Sequence, residues 1–287
     1  MVSIILPNFN HDAYLQKRLV SIFNQTYQNF EVIILDDAST DGSLSILETY
    51  KNHPKVTHFI VNTENTGSPF KQWEKGLRLA KGDYVWIAES DDFCGLNFLE
   101  TQLDYLKAHD MSVAKTIVFS KEKNGKELIH PAFKESSETV LENNQILYCP
   151  VLNVSATLFR NVDKEKLAKA AFSDFRIIGD RVFYHEFFHN KKLIYNVDTQ
   201  SYFRQEDENL SNLNAKDLNY LARYFKEHVR FINLASKNDK AIARYRKKYI
   251  TRFFNRVRHR VARKNKFSFQ FLKLYLYYRF QLLYKPF

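Results

Sequence analysis

Four apolar segments of strand length alternate with helical patterns in the first 110 residues of the 287-residue chain. The segments read VSIILP, FEVIIL, VTHFIVN and YVWIA, and continuous apolar runs of this length are typical of strands buried on both faces. Between them, apolar residues recur at helical spacing, as at Leu15, Leu19, Ile22 and Phe23. Strands that alternate with helices predict an α/β fold, with a mostly parallel sheet and helices on both faces.

The second half of the chain has weaker patterns. NVSATLF and KLIYNV predict strands, DKEKLAKAA predicts a helix, and IIGDRVFYHEF places Asp180 at the start of another helix. The residues that follow have the pattern of basic helices. We therefore predict one domain over residues 1–212, with halves at 1–110 and 111–212, and a basic helical C-terminal region over 213–287.

Polar and acidic residues follow three of the predicted strands. They are Pro7 and Asn8 after the first strand, Asp36 and Asp37 after the second, and Glu89, Asp91 and Asp92 after the fourth. Because ligands bind at the carboxyl ends of the strands in such sheets, we expect one acidic crevice there. Clustered carboxylates repel each other, and a hard cation such as Mg²⁺ or Mn²⁺ would relieve that repulsion. A diphosphate bridged by that metal is therefore a natural ligand for the crevice. For ESDD, the alternative is a solvated acidic turn in which an aspartate caps a helix.

Glycine-rich phosphate-binding loops are absent from the sequence. The chain has 7 glycines and contains neither GxGxxG nor GxxxxGK[ST], which argues against dinucleotide oxidoreductases, P-loop enzymes and protein kinases. Its two cysteines, Cys94 and Cys149, form no metal-binding spacing and no disulfide framework, which fits a reducing, cytoplasmic compartment. The opening MVSIILPNFN is interpreted as a first strand and not as a signal peptide.

The net charge of +11 is concentrated near the C-terminus. Residues 221–287 carry 19 Lys and Arg against two acidic residues, Glu227 and Asp239. The last segment is aromatic and cationic, and it is too charged for a membrane span of about 20 apolar residues. A helix lying on an anionic membrane surface is one interpretation, and a helical subdomain with a solvated basic face has nearly equal weight.

The first hundred residues resemble the opening of the family-2 glycosyltransferases with the Rossmann-like GT-A fold. The similarity lies in VSIILPNFNHDAYLQKRLVSIFNQTYQNFEVIILDDASTDGS and NTENTGSPFKQWEKGLRLAKGDYVWIAESDD, and it extends more weakly over about 150–212. The resemblance implies a nucleotide-diphosphate sugar, UDP-linked by default, a divalent metal (Mn²⁺ or Mg²⁺), and inversion at the anomeric carbon. It also implies a glycan or lipid-linked acceptor, as in the synthesis of bacterial surface polysaccharides.

Residue roles follow from the same resemblance. On the donor side, Pro7 and Asn8 are implied to contact the nucleoside and Asp37 the base. Asp91 is implied to contact the ribose or the sugar, and Glu89 the metal or the sugar. Lys71 is a further implied donor contact, for which a surface position is equally compatible. Asp92 is the implied metal ligand. Glu206 stands where the family often has a metal-binding histidine, and it either ligates the metal or belongs to a lid whose Arg204 meets the diphosphate.

Inversion requires a base opposite the leaving group, and Asp180 stands where the family places it. An N-cap role at the start of a helix is the alternative for this residue. Two other functions compete with a sugar transferase. One is a catalytically inactive nucleotide-sugar-binding module. The other is a nucleic-acid-binding protein that uses the basic tail, which leaves the acidic crevice unexplained, so that no nucleic acid is expected as a partner.

Overall fold

A single mixed sheet forms the centre of the protein in a computed structural model that describes residues 1–119, 128–130, 134–205, 213 and 216–284. Within these residues the sheet has ten strands, eight of them in the order β3-β2-β1-β4-β9-β6-β10-β5, while β7 pairs with β6 and β8 with β10. The α/β fold with a helical C-terminal region is confirmed.

The first four strands are parallel, as predicted. β1 pairs with both β2 and β4, and β2 pairs with β3, so the carboxyl ends of these strands lie at one edge. The bounds are β1 Val2–Asn8, β2 Phe30–Asp36, β3 Val56–Val61 and β4 Tyr84–Ile87.

The second half of the sheet is mixed. β9 lies antiparallel between β4 and β6, and β10 runs parallel to β6. β6 was not identified from the sequence, although most of its residues are apolar and buried. The bounds are β5 Phe93–Cys94, β6 Met111–Phe119, β7 Leu128–His130, β8 Ser137–Val140, β9 Thr157–Arg160 and β10 Lys192–Arg204.

Helices cover both faces of the sheet. Because successive side chains of a strand point to opposite faces, one strand contributes to two hydrophobic clusters. In β1, Ile5 belongs to one hydrophobic cluster, whereas Ile4 and Leu6 belong to the other. The helices of the body are α1 Asp12–Phe23, α2 Ser43–Glu48, α3 Pro69–Leu79, α4 Phe98–Tyr105, α5 Asn143–Leu147, α6 Lys164–Ala168 and α7 Gly179–Phe188.

The C-terminal helices pack on the face of the sheet that also carries α3 and α7. Phe225 and Phe253 belong to the same hydrophobic cluster as Phe183 of α7 and Ile5 of β1. No helix within the described residues is long and apolar enough to cross a membrane. These helices are α8 Leu218–Asn238, α9 Lys240–Ala243, α10 Arg246–Arg260 and α11 Phe269–Leu283.

Candidate active site

A cleft of about 1240 Å³ opens at the carboxyl ends of β1, β2 and β4. The predicted residues that line it are Pro7, Asn8, Asp37, Glu89, Asp91, Asp92, Asp180 and Arg204. Lys71 is exposed on α3 and is not among the lining residues. Glu206 lies outside the described residues. The cleft therefore brings together eight side chains that are spread over nearly 200 positions of the sequence.

The loops after β1 and β2 are joined by hydrogen bonds. Asn8 Nδ2 donates to Asp36 Oδ2 at 2.8 Å, and the main-chain N–H of Asp37 donates to Asn8 O at 2.9 Å. Asp36 also accepts from Ser39 N at 2.8 Å. Asp36 thus fixes the loop and leaves Asp37 as the residue that lines the cleft.

The Asp37 carboxylate is held in one orientation by three neighbours. Oδ1 accepts from Asn62 Nδ2 and from Gln72 Nε2, each at 2.7 Å, and Oδ2 accepts from the Thr66 hydroxyl at 2.8 Å. Asp37 is buried, and α3 supplies Gln72. These contacts give the cleft wall beside β2 a rigid anionic group.

The acidic loop after β4 is tied to elements on both faces of the sheet. Trp73 Nε1 donates to Glu89 Oε1 at 2.6 Å from α3, and Glu89 N donates to Ser155 Oγ at 3.1 Å. On the other face, Arg18 Nε donates to Glu89 O at 2.7 Å. Arg18 is fully buried, and its Nη1 and Nη2 have no hydrogen-bond partner among the described residues. A buried guanidinium therefore stands below the carboxylates.

Asp92 is buried between the two halves of the chain. Its Oδ1 accepts from Arg204 N at 3.1 Å, and its Oδ2 accepts from Asn153 Nδ2 at 3.0 Å. The Arg204 side chain returns to the same loop, where Nε donates to Asp91 O at 3.3 Å. Its guanidinium lies 3.8 Å from the centre of the Tyr14 ring, so the end of β10 closes one side of the cleft.

Burial and mutual repulsion perturb the loop carboxyls. Burial, together with the charges of Asp91 and Asp92, raises the pKa of Glu89 to about 8. Burial and the Asp91 charge raise the pKa of Asp92 to about 7, although the Arg18 guanidinium opposes the shift. A bound cation would reverse both shifts, because it favours the ionised carboxylates.

The donor atoms of the loop fit a hard divalent ion. Within the described residues, no group of three or more His, Cys, Asp or Glu side chains could hold a metal. Mg²⁺-type sites, however, use one or two carboxylates together with substrate phosphates and water. Asp91 and Asp92 supply carboxylates of this kind beside an open cleft.

Asp180 lies in the first turn of α7, at the other side of the cleft. The N-cap of that helix is Ile178 and no side chain caps it, so the N-cap alternative for Asp180 is wrong. Burial raises the pKa of Asp180, and the Arg181 guanidinium opposes the shift. Gly179 lets α7 begin here, because a Cβ on it would stand 2.3 Å from the Phe70 ring.

Several residues that shape the cleft were not predicted from the sequence. Glu227 on α8 accepts from the main-chain N–H groups of residues 176–178, at 2.9–3.2 Å, and so holds the segment before Asp180. Tyr224, His228 and Arg256 of the C-terminal helices line the cleft itself. Of the unpredicted residues described here, only Arg18 has a sequence signal, because this charged residue interrupts the apolar face of α1.

The family model described as "Glycosyl transferase family 2" matches residues 3–161, which is more than half of the chain. The chain belongs to glycosyltransferase family 2. The matched range includes β1 to β4 and the acidic loop, and it ends before Asp180.

Curated relatives of this family-2 chain are bacterial glycosyltransferases. An uncharacterized glycosyltransferase of Haemophilus influenzae is 33% identical over 174 residues, which are 58% of this chain and 69% of the relative. The poly(ribitol-phosphate) β-N-acetylglucosaminyltransferase TarS of Staphylococcus aureus is 31% identical over 166 residues, which are 56% of this chain. That match covers only 28% of the longer TarS protein.

Solved structures share the fold at low sequence identity. The S. aureus TarS 1–349 structure in complex with UDP has a TM-score of 0.69 and 22% identity, and the match covers 98% of this chain and 80% of that one. The corresponding complex with UDP-GlcNAc has a TM-score of 0.66 and 23% identity, with 98% and 78% covered. A mannosyltransferase of Pyrobaculum calidifontis with GDP-Man and Mn²⁺ matches at 0.53 and 17% identity, with 99% and 81% covered.

Proposed function

We propose that this family-2 glycosyltransferase moves a hexosyl or N-acetylhexosaminyl group, with inversion, from a UDP-sugar to a hydroxyl of a glycan or lipid-linked acceptor. The observation that carries the proposal is the meeting of the β4 acidic loop and Asp180 in one cleft. The printed names of the relatives, which include a poly(ribitol-phosphate) transferase, support a role in bacterial-type surface polysaccharide synthesis.

The donor side of the cleft supports nucleotide-sugar binding. The main chain at Pro7 and Asn8 lines the nucleoside pocket, Asp37 accepts from the base, and Asp91 bonds the ribose or the sugar. Asp92 would hold Mn²⁺ or Mg²⁺, which when bound neutralises charge on the diphosphate leaving group. Arg204 supplies a guanidinium on the same side, where it meets the diphosphate.

Asp180 is the proposed general base. Its carboxylate takes the proton of the acceptor hydroxyl while the new bond forms at the anomeric carbon and the bond to the diphosphate breaks. Burial raises its pKa, which strengthens it as a base. Because the base must be ionised, turnover should fall when the pH is lowered through that pKa.

Replacement of the two aspartates tests these roles. Asp180→Asn should lower kcat by about 10²–10⁴ and change the affinity for UDP-GlcNAc much less, because the amide cannot accept the proton. Asp92→Asn should weaken UDP-GlcNAc binding in Mn²⁺ buffer. UDP release and calorimetric titration measure the two effects, with Asp104→Asn on the exposed face of α4 as the matched control.

The outcomes separate the alternatives. Full turnover in Asp180→Asn would show that another group is the base. A wild-type protein that binds UDP-GlcNAc, yet neither hydrolyses it nor transfers its sugar, would be the inactive binding module.

We also propose peripheral contact with an anionic membrane at the cytoplasmic face, through α11. Five apolar side chains on one face of this helix are exposed, over about 21 Å of helix length. They are Phe269, Leu272, Leu276, Phe280 and Leu283. Lys273 and Arg279 flank this face, and no acidic residue follows Asp239 in the sequence. Exposed apolar side chains with flanking cations fit an interfacial helix on anionic lipid.

A further inference from the structure

The wall of the cleft beyond Asp180 is cationic and is built by helices α7, α8 and α10. Arg181, His228 and Arg256 line it together with Tyr224. The acidic loop that serves the donor follows β4, so this wall belongs to separate elements of the fold. It also lies outside residues 3–161, the range matched by the family model.

His228 presents a buried polar atom without a protein partner. The side chain is 1% exposed, and its ring stacks on Phe253 with 3.6 Å between the ring centres. Nδ1 lies 2.7 Å from the Tyr249 hydroxyl, whereas Nε2 has no hydrogen-bond partner among the described residues. With the Tyr249 hydroxyl donating to Nδ1, the Nε2–H is a free donor. An unsatisfied buried donor destabilises the folded protein, and a ligand oxygen that accepts from it would offset that cost.

Arg181 adds a second such donor. Its Nη1 donates to Leu147 O at 2.6 Å, but its Nε has no hydrogen-bond partner within the described part of the chain. Arg256, which is exposed on α10, adds another guanidinium to the same lining. Burial lowers the pKa of His228 well below its usual value, and the positive charges of Arg181 and Arg256 on the same wall add to this shift.

We propose that this wall is an acceptor subsite that binds a phosphodiester of the acceptor and places the neighbouring hydroxyl against Asp180. Two guanidinium groups and one imidazole N–H match the several oxygens of a phosphate, and guanidinium–phosphate bonds are among the stronger hydrogen bonds. The cleft of about 1240 Å³ exceeds the roughly 300–1000 Å³ of a single-ligand pocket, which leaves room for an acceptor beside the donor.

The inference rests on the proposed transferase function, because it assigns the second substrate of the same cleft. It goes further by requiring negative charge on the acceptor. Asp180 is an acidic neighbour of Arg181, but a neutral glycan would add no negative charge to the two guanidinium groups of this wall.

Binding of glycerophosphoglycerol, a small phosphodiester, tests the subsite. Titrations in the presence of UDP and Mn²⁺ should show that it binds at least tenfold more tightly than ribitol, which is neutral. Arg256→Gln should weaken this binding roughly five- to tenfold, because one charge-assisted contact is lost. Arg258→Gln, an exposed arginine of the same helix that does not line the cleft, is the matched control and should bind the diester like the wild type.

Arg181→Lys provides a second variant, which keeps the charge but removes the Nε donor, and thermal unfolding verifies that it is folded. It should weaken diester binding as well. Equal binding of the diester and ribitol, equal losses in Arg256→Gln and Arg258→Gln, or tighter binding of glucuronate than of the diester would each overturn the proposal. The affinity of the wild-type protein for UDP-GlcNAc reports separately on the proposed transferase function.

Discussion

Glu89 contributes a carboxyl group to the cleft, and its surroundings favour the protonated form. Its carboxyl is held by an indole N–H, and burial with two neighbouring carboxylates raises its pKa to about 8 from an ordinary 4.5. In the absence of metal, the folded protein therefore binds a proton that the unfolded chain releases between these two pH values. Stability should consequently fall as the pH rises through this window.

Glu89→Gln tests this linkage. In metal-free buffer the free energy of unfolding of the wild type should decline from about pH 5 towards pH 8, by at most about 1.4 kcal/mol per pH unit for this one proton. The amide cannot ionise, so the variant should show a shallower decline, with a remainder from Asp92. Urea titrations at several pH values measure the slope. Glu48→Gln, on the exposed side of α2, should keep the wild-type slope, and an unchanged slope in Glu89→Gln would contradict the assignment.

At the scale of elements, α8 positions the helix that carries Asp180. Glu227 of α8 accepts from three consecutive main-chain N–H groups directly before α7. Asp180 and a helix at this position were predicted from the sequence, but Glu227 was not. The contact joins residues about 50 positions apart, and a half-buried glutamate on an amphipathic helix has no local pattern that distinguishes it.

Removal of the Glu227 carboxylate should disturb stability and catalysis together. Glu227→Ala should destabilise the protein by about 1–3 kcal/mol, because partly buried N–H groups lose their acceptor. It should also lower kcat more than it raises KM for the UDP-sugar, since the displaced segment carries Asp180. Chemical denaturation and steady-state kinetics measure both effects.

Glu227→Gln keeps one acceptor oxygen and should recover part of each loss. Lys226→Ala, at the neighbouring exposed position, should have little effect on either quantity. A loss of stability with unchanged kcat would show that Glu227 supports the fold alone.

The exposed face of α11 gives a second element-scale prediction. The triple variant Leu272→Gln, Leu276→Gln, Phe280→Gln should no longer sediment with phosphatidylglycerol vesicles, because burial of apolar side chains supplies most of the binding energy. Lys273→Gln should weaken binding only about fivefold, as expected for roughly 1 kcal/mol per cation.

The control for this experiment is Val20→Gln, which replaces an exposed apolar residue on α1. Wild-type protein that stays in solution with these vesicles, or sedimentation that the triple variant retains, would remove the membrane role and leave a helical subdomain with a solvated face.

At the scale of the whole molecule, the hydrophobic core does not divide at residue 212. Phe225 and Phe253 of the C-terminal helices share one cluster with Phe183 and Phe188 of α7. The predicted boundary between a domain over 1–212 and a region over 213–287 follows the change in charge, whereas the apolar contacts continue across it. The C-terminal helices also line the cleft, so the basic region contributes to the site as well as to the surface.

A chain shortened to residues 1–212 should therefore fail to unfold cooperatively. Removal of α8 and α10 would expose the face of α7 that packs against them. Truncation of a single buried phenylalanine already lowers the free energy of unfolding by about 3–5 kcal/mol. Circular dichroism during heating measures the effect. A chain that ends at residue 262, which lacks only α11 and the turn before it, should keep a cooperative transition at lower temperature. Native-like unfolding of the 1–212 chain would support two separate domains.

The parallel half of the sheet and the acidic loop at its edge could be predicted from the amino-acid sequence. Those features depend on local patterns: the length of apolar runs, the helical spacing between them, and the rule that parallel strands end at one edge. The sequence also indicated Asp180 through its resemblance to a family, and this residue lines the cleft.

The residues that surround the acidic loop could be identified only from the three-dimensional structure. Arg18 below the carboxylates, Glu227 beside α7, and His228 and Arg256 on the far wall take their positions from packing between distant segments. Arg18 interrupts an apolar helix face, but the contacts themselves leave no periodicity in the chain, because each depends on which helix face meets which neighbour. The charge of the C-terminal region could thus be counted from the sequence, whereas only the folded structure shows that part of this region lines the cleft.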